Sequence, residues 1–169
     1  MRGCDTASHP AFCCHDTSSI SDAACRRSAV ARMTEYDPAA AGWTPMDANP
    51  LPSGIGVPWQ KRHGDEWRYG LLTRADHANP AGAVHGGILA VFADHVLGCY
   101  VEAAADGAPN VTIQLNTHFL AAVDPGSFLE LRGEVTRVTG TMVFVRGIIA
   151  VGKRDVLAVD GIWRVFRGR

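Results

Sequence analysis

Hydrophobic and polar positions follow two different periods in the second half of this chain. From Val84 to Ala104, apolar side chains cover most of the circumference of a helix, which predicts one long and largely buried helix. Phe128–Val138 instead alternates residue by residue, with Leu129 and Leu131 on one face and charged side chains on the other. This period of two is typical of a half-buried strand.

Other segments around the helix also have strand-like composition. They are Glu66–Arg74, Asn110–Leu120, Thr141–Val151 and Val156–Phe166. Short turns at 138–141 and 152–155 favour antiparallel neighbours. The order predicts an α+β fold in which an antiparallel sheet of about five strands wraps around one long central helix. We expect an apolar strand such as Thr141–Val151 to form an edge that pairs with a second subunit.

The first third of the chain lacks these patterns. Residues 1–33 show neither period, and we expect a disordered tail, or sequence upstream of a native start at Met33. Cysteines and histidines between residues 4 and 25 lack the spacing of a zinc site, so no metal is expected. Residues 34–53 are rich in proline and predict an irregular approach segment. The domain itself is expected to span residues 54–169.

Charge and length exclude some classes of protein. The 169 residues contain 16 Lys and Arg against 17 Asp and Glu. This balance argues against a protein that binds the phosphate backbone of nucleic acids through a broad basic surface. The most apolar run, residues 84–105, is interrupted by His85, Asp94, His95 and Glu102, so no membrane span is predicted. We expect a cytoplasmic protein.

Gly86 and Gly87 stand at the predicted start of the helix, where glycine is unusual. Each costs about 1 kcal/mol relative to alanine inside a helix. Glycines allow a ligand to approach the backbone, and a helix N-terminus stabilises an oxygen that develops negative charge. Alternatively, the two glycines only allow the helix to pack closely against a strand.

Asp94 interrupts a run that otherwise suits a core. A buried carboxylate without partners is costly, so Asp94 is either hydrogen-bonded for structural reasons or faces a wet cleft with a functional role. His85 lies nine residues before Asp94, and at about 100° per residue the two side chains point to opposite sides of one helix. A site that uses both residues would therefore combine two chains across a two-fold axis.

These residues together resemble a known family. Asn79, the His85-Gly-Gly motif, Asp94 nine residues further on and Thr112 in the next strand are similar to the hot-dog-fold acyl-CoA thioesterases, and specifically to their phenylacetate-pathway (PaaI-like) subfamily. The resemblance covers roughly residues 54–167. It implies a hot-dog fold and hydrolysis of an acyl-CoA to a free carboxylic acid and CoA.

The resemblance also implies roles for the loop before the helix. Asn79 and the backbone N–H of Gly87 would polarise the thioester carbonyl. Gly86 would shape the turn. His85 would order the loop and orient Asn79 rather than act as a nucleophile.

The remaining roles concern the facing subunit. Asp94 would be the base or the nucleophile, and Thr112 would help to position the attacking water. The resemblance implies no metal and no bound cofactor, since CoA is part of the substrate. It also implies a homodimer with shared active sites, which could pair further into a homotetramer.

Basic side chains near the strand ends could hold the phosphates of CoA. The candidates are Arg137, Arg146, Lys153 and Arg154. Each of them could equally be a solvated surface charge. Two other functions stay open at this point: a non-catalytic acyl-CoA-binding hot-dog protein, and another hot-dog enzyme such as a hydratase or dehydratase.

Overall fold

The long apolar segment forms a single helix. In the computed structural model, which describes residues 36–47 and 49–167, helix α1 spans Gly86–Ala104. It begins two residues later than predicted because His85 has an extended backbone, and its ring accepts a hydrogen bond from the Gly87 N–H as an N-cap. Its buried side chains, which join the core shared with the sheet, are Leu89, Phe92, Ala93, Val96, Leu97 and Val101.

Seven antiparallel strands form one sheet against this helix. Their bounds are β1 Thr44–Pro45, β2 Pro58–His63, β3 Glu66–Leu72, β4 Asn110–Phe119, β5 Phe128–Val138, β6 Met142–Val151 and β7 Arg154–Val165. Their order across the sheet is β1-β2-β3-β5-β6-β7-β4. The α+β fold with one long helix on an antiparallel sheet is therefore confirmed, as are the five predicted strands.

Strands β1 and β2 extend the sheet beyond the five predicted strands. The approach segment at 34–53 contributes β1, and it buries Trp43, Met46 and Leu51 in the domain. Strand β2 has the sequence PWQKRH, which has no apolar alternation because only its first residue, Pro58, is fully buried. It is specified by its pairing with β3 over six residue pairs, which a local pattern does not reveal.

The prediction that Thr141–Val151 forms an edge was wrong. This segment becomes β6, which pairs with β5 on one side and β7 on the other. Its apolar character reflects burial at the centre of the sheet. The two edges of the sheet are β1 and β4, and on β4 the side chains of Val111 and Ile113 are 48% and 53% exposed.

Several expectations fall on residues 1–33, which lie outside the described residues. They concern the tail, the start at Met33 and metal binding by its cysteines and histidines. Among residues 36–47 and 49–167, no group of His, Cys, Asp and Glu could hold a metal ion. Helix α1 is long and apolar enough to cross a membrane by length and composition alone, a property that it shares with core helices of soluble proteins.

Candidate active site

Asp94 and Thr112 form a hydrogen-bonded pair between the helix and the edge strand. The Thr112 hydroxyl donates to Asp94 Oδ1 at 2.7 Å, and both residues are half-buried. The strand register shifts directly after Thr112, and such a bulge re-aims side chains along an edge. A carboxylate can accept several hydrogen bonds, so Asp94 Oδ2 remains available to bind a water molecule or take its proton.

A pocket of about 310 Å³ opens beside this pair. It is lined by residues from helix α1, the start of β4, β7 and the approach segment: Asn49, Asp94, His95, Gly98, Cys99, Glu102, Asn110, Val111, Thr112 and Trp163. Its volume is at the lower end of the roughly 300–1,000 Å³ typical of small-molecule sites. The pair therefore lies at the wall of a site that suits a small ligand group.

Two titratable groups in the pocket are neutral at pH 7. Burial raises the pKa of the Cys99 thiol to about 11, so this cysteine is a poor nucleophile. Burial also lowers the pKa of His95, whose Nε2 lies 3.1 Å from the backbone oxygen of Asn49. Neither group therefore brings a charge to the pocket, whose carboxylates are Asp94 and Glu102. Of these two, Asp94 is the one that the Thr112 hydroxyl holds in place, which makes it the candidate base.

Asn79 is held in the loop before the helix by its side-chain oxygen. Asn79 Oδ1 accepts hydrogen bonds from the backbone N–H groups of Ala81 at 2.9 Å and Ala83 at 3.2 Å. Because these bonds fix the oxygen, the amide nitrogen Nδ2 remains available as a donor. Asn79 is therefore oriented to donate a hydrogen bond to a carbonyl oxygen.

His77 anchors this loop, although it was not among the site residues predicted from the sequence. Its side chain is buried, with Nδ1 accepting from the Arg74 N–H at 3.2 Å and Nε2 lying 3.2 Å from the Gly54 oxygen. Its backbone oxygen accepts from the N–H of His85 at 2.8 Å. The one available signal was a histidine inside a turn-forming segment, which does not distinguish a buried anchor from a surface residue.

The two glycines at the helix start were interpreted either as allowing close packing against a strand or as allowing a ligand to approach the backbone, and the structure gives each glycine different surroundings. A Cβ at Gly86 would lie 2.9 Å from the Phe119 ring, so close packing against β4 accounts for this glycine. At Gly87, the nearest group to a Cβ would be the His85 ring, at 3.4 Å. The Gly87 N–H donates to His85 Nδ1 at 3.1 Å, so a ligand oxygen would have to share or replace this bond.

The predicted site residues form two separate groups within one chain. Asp94 lies with Thr112, whereas Asn79 and His85 lie in and at the end of the loop before the helix. The separation of nine positions between His85 and Asp94 corresponds to roughly 13 Å along the helix axis. One carbonyl group cannot contact both groups of a single chain at once.

The four predicted phosphate-binding cations do not form one cluster. Arg137 pairs with Phe144 near one end of β6, and Arg154 pairs with Val151 at the other. At about 3.3 Å per residue, these positions are roughly 23 Å apart along β6. Arg146 lies between them and is bound to Glu134 at 2.8 Å, while Lys153 adjoins Arg154 in the β6–β7 turn.

Comparison with known proteins identifies the fold. Residues 81–158 match the family model of the Thioesterase superfamily. The protein PA0474 of Pseudomonas aeruginosa, which is named as an esterase, is 29% identical to this chain over 90 residues. The matched region covers 53% of this chain and 67% of that protein.

Solved structures give the same result. The BH2602 protein of Bacillus halodurans, crystallised with CoA, is 26% identical with a TM-score of 0.59, and the match covers 65% of this chain and 74% of that one. A hypothetical thioesterase of Streptococcus pneumoniae with coenzyme A is 22% identical with a TM-score of 0.59, over 66% and 88% of the two chains. This chain has the hot-dog thioesterase fold, and its segment 81–158, which contains His85, Asp94 and Thr112, matches the Thioesterase superfamily.

Proposed function

We propose that this protein is an acyl-CoA thioesterase of the PaaI-like subfamily, which hydrolyses an acyl-CoA to a free carboxylic acid and CoA. One observation carries the proposal: the Asp94 carboxylate is held by the Thr112 hydroxyl at the wall of a pocket in a hot-dog thioesterase fold. The CoA in similar solved structures supports the choice of thioester.

In the proposed reaction, Asp94 activates the attacking water. Oδ2 takes a proton from the water as its oxygen bonds to the carbonyl carbon, and Thr112 holds Oδ1 in place. The tetrahedral intermediate then collapses, the C–S bond breaks, and the CoA thiolate leaves and takes up a proton. In the alternative route, Asp94 itself attacks the carbonyl carbon, the C–S bond breaks as the CoA thiolate leaves and takes up a proton, and water then hydrolyses the mixed anhydride to the carboxylic acid and free Asp94.

The loop before the helix would stabilise the carbonyl oxygen as it gains negative charge. Asn79 Nδ2 is an oriented donor, and the Gly87 N–H would turn from His85 Nδ1 towards the oxyanion. His85 keeps the helix start ordered, and Gly86 allows the turn to lie against Phe119. No metal or separate cofactor takes part in this scheme.

A homodimer would complete the site. The separation of roughly 13 Å between His85 and Asp94 along one helix axis requires that the loop of one chain meet Asp94 of another. Strand β4 supports this arrangement, because it is a sheet edge with exposed Val111 and Ile113. A dimer would then contain two equivalent sites and could pair further into a tetramer.

The CoA phosphates would bind to basic side chains at the surface of this assembly. Lys153 and Arg154 are adjacent and exposed, and they are the best pair of the four candidates within one chain. Arg137 is exposed at another position, and Arg146 would have to leave Glu134. We propose a cytoplasmic location for the protein, where acyl-CoA is available.

The test is thiol release from a panel of acyl-CoAs that differ in acyl length and polarity. We expect turnover of at least one member, with one thiol released for each carboxylic acid formed. Tight binding of acyl-CoA without release of thiol would contradict the proposal and would indicate a non-catalytic binding protein.

Removal of the Thr112 hydroxyl should slow the reaction. We expect Thr112→Val to lower kcat about 5- to 30-fold, because a hydrogen bond worth about 1–2 kcal/mol no longer orients Asp94. Thr112→Ser should retain most of the activity. Thr117→Val, on the same strand but outside the pocket, is the matched control, and an equal loss in both valine variants would argue against an orienting role.

A further inference from the structure

Gly98 occupies a position in helix α1 where alanine would fit. A Cβ there would lie 3.6 Å from Asn110 Oδ1 and 3.8 Å from Trp163 Nε1, which are ordinary contact distances. Packing therefore does not require a glycine here. Helix propensity does not favour one either, because glycine is among the least favourable residues inside a helix. The missing methyl group leaves space on the floor of the pocket beside Asp94.

This space exposes a hydrogen-bond donor. Trp163 is 1% exposed and lines the pocket. Its Nε1 lies 3.8 Å from the position of a Cβ on Gly98, so the indole N–H is next to the space that Gly98 leaves in the pocket. The pocket is therefore the space next to this N–H, and a buried indole N–H normally has a hydrogen-bond partner.

The position of this donor limits the ligand that it can serve. Gly98 is one helical turn from Asp94, roughly 6 Å along the helix axis. If the thioester carbonyl binds at Asp94, only a short acyl chain fits between this carbonyl and the Trp163 N–H. Asp94 and Glu102 line the same pocket, so a negatively charged end would be repelled.

We propose that Gly98 and Trp163 form the acyl specificity site, which selects short acyl groups with a neutral hydrogen-bond acceptor at the far end. The inference rests on the proposed thioesterase function and identifies its substrate class. Gly98 supplies the space, and the Trp163 N–H donates to the acceptor. A long unbranched chain or a terminal carboxylate does not satisfy this site.

Three thioesters of nearly equal shape test the proposal. They are 4-oxopentanoyl-CoA with a ketone acceptor, 4-methylpentanoyl-CoA with an apolar end, and succinyl-CoA with a carboxylate. We expect kcat/KM for the ketone to exceed that for the apolar analogue about 5- to 10-fold, as one neutral hydrogen bond allows. Succinyl-CoA should be the poorest of the three.

Gly98→Ala separates specificity from folding. We expect its preference for the ketone to fall below twofold, while the melting temperature rises by about 2–4 °C. The matched control is Ala103→Gly on the exposed side of the same helix, which should lower the melting temperature and retain the preference. Trp163→Phe, which keeps an aromatic side chain but lacks the indole N–H, should lose the preference in the same way.

The outcomes distinguish this inference from the function on which it rests. Equal kcat/KM values for the ketone and its apolar analogue, or an unchanged preference in Gly98→Ala, would overturn the inference and leave the thioesterase intact. If none of the three is hydrolysed, calorimetric binding tests the site: preferential binding of the ketone supports it, and equal binding of the ketone and its apolar analogue overturns it. Absence of binding to all three overturns the inference, and absence of turnover across the whole acyl-CoA panel overturns the thioesterase as well.

Discussion

Replacement of Asp94 by asparagine is expected to lower kcat for acyl-CoA hydrolysis by about 10²- to 10⁴-fold, the contribution typical of a positioned general base. Asparagine has nearly the same shape as aspartate, and its Oδ1 can still accept the hydrogen bond from Thr112. It cannot take a proton from water or attack a carbonyl carbon. KM should change little, because the substituted group acts on the reacting atoms rather than on CoA. Thiol release under saturating substrate measures the effect.

Asp106→Asn is the matched control for this substitution. Asp106 lies just after the helix with a φ of 55°, a left-handed conformation that asparagine also tolerates. Its replacement should leave kcat within about twofold and the thermal unfolding unchanged. If Asp94→Asn retains full activity while Asp106→Asn does the same, the proposed mechanism is wrong.

The sequence was informative where the interactions are local. The helix follows from its apolar periodicity, and β5 from its alternation, because both patterns reflect which side of an element is buried. The proximity of Asp94 and Thr112 was expected only through the family resemblance. The structure supplies the hydrogen bond that joins them.

The sequence was less informative where distant segments meet. Strand β6 is apolar because it lies between β5 and β7, and a single strand does not record its neighbours. The burial of His77 depends on the Gly54 oxygen, which is 23 residues away in the chain. The bond between Gly87 and His85 depends on a side-chain orientation that residue spacing leaves open.

A mixture of two inactive variants should regain activity if the site combines two chains. Asp94→Asn removes the proposed base, and Asn79→Ala removes the proposed oxyanion donor. In a heterodimer, one site carries both substitutions, and the other pairs an intact Asp94 with an intact Asn79. Random assembly from equal amounts should therefore give about a quarter of the wild-type activity. Thiol release after co-refolding of the two variants measures this recovery.

The interface itself can be broken at β4. We expect Ile113→Lys on β4, combined with Leu120→Lys directly after its end, to halve the mass measured by light scattering and to lower activity at least 100-fold, because charges along an apolar edge oppose strand pairing. Val57→Lys is the matched control, since Val57 is 49% exposed but lies outside β4. An active monomer, or a mixture of the Asp94 and Asn79 variants without recovered activity, would contradict the shared site. The expected results are that the mixture of variants recovers about a quarter of the wild-type activity and that the dissociated β4 variant is inactive. These two results together would require that Asp94 act on a carbonyl group held by the loop of the other chain.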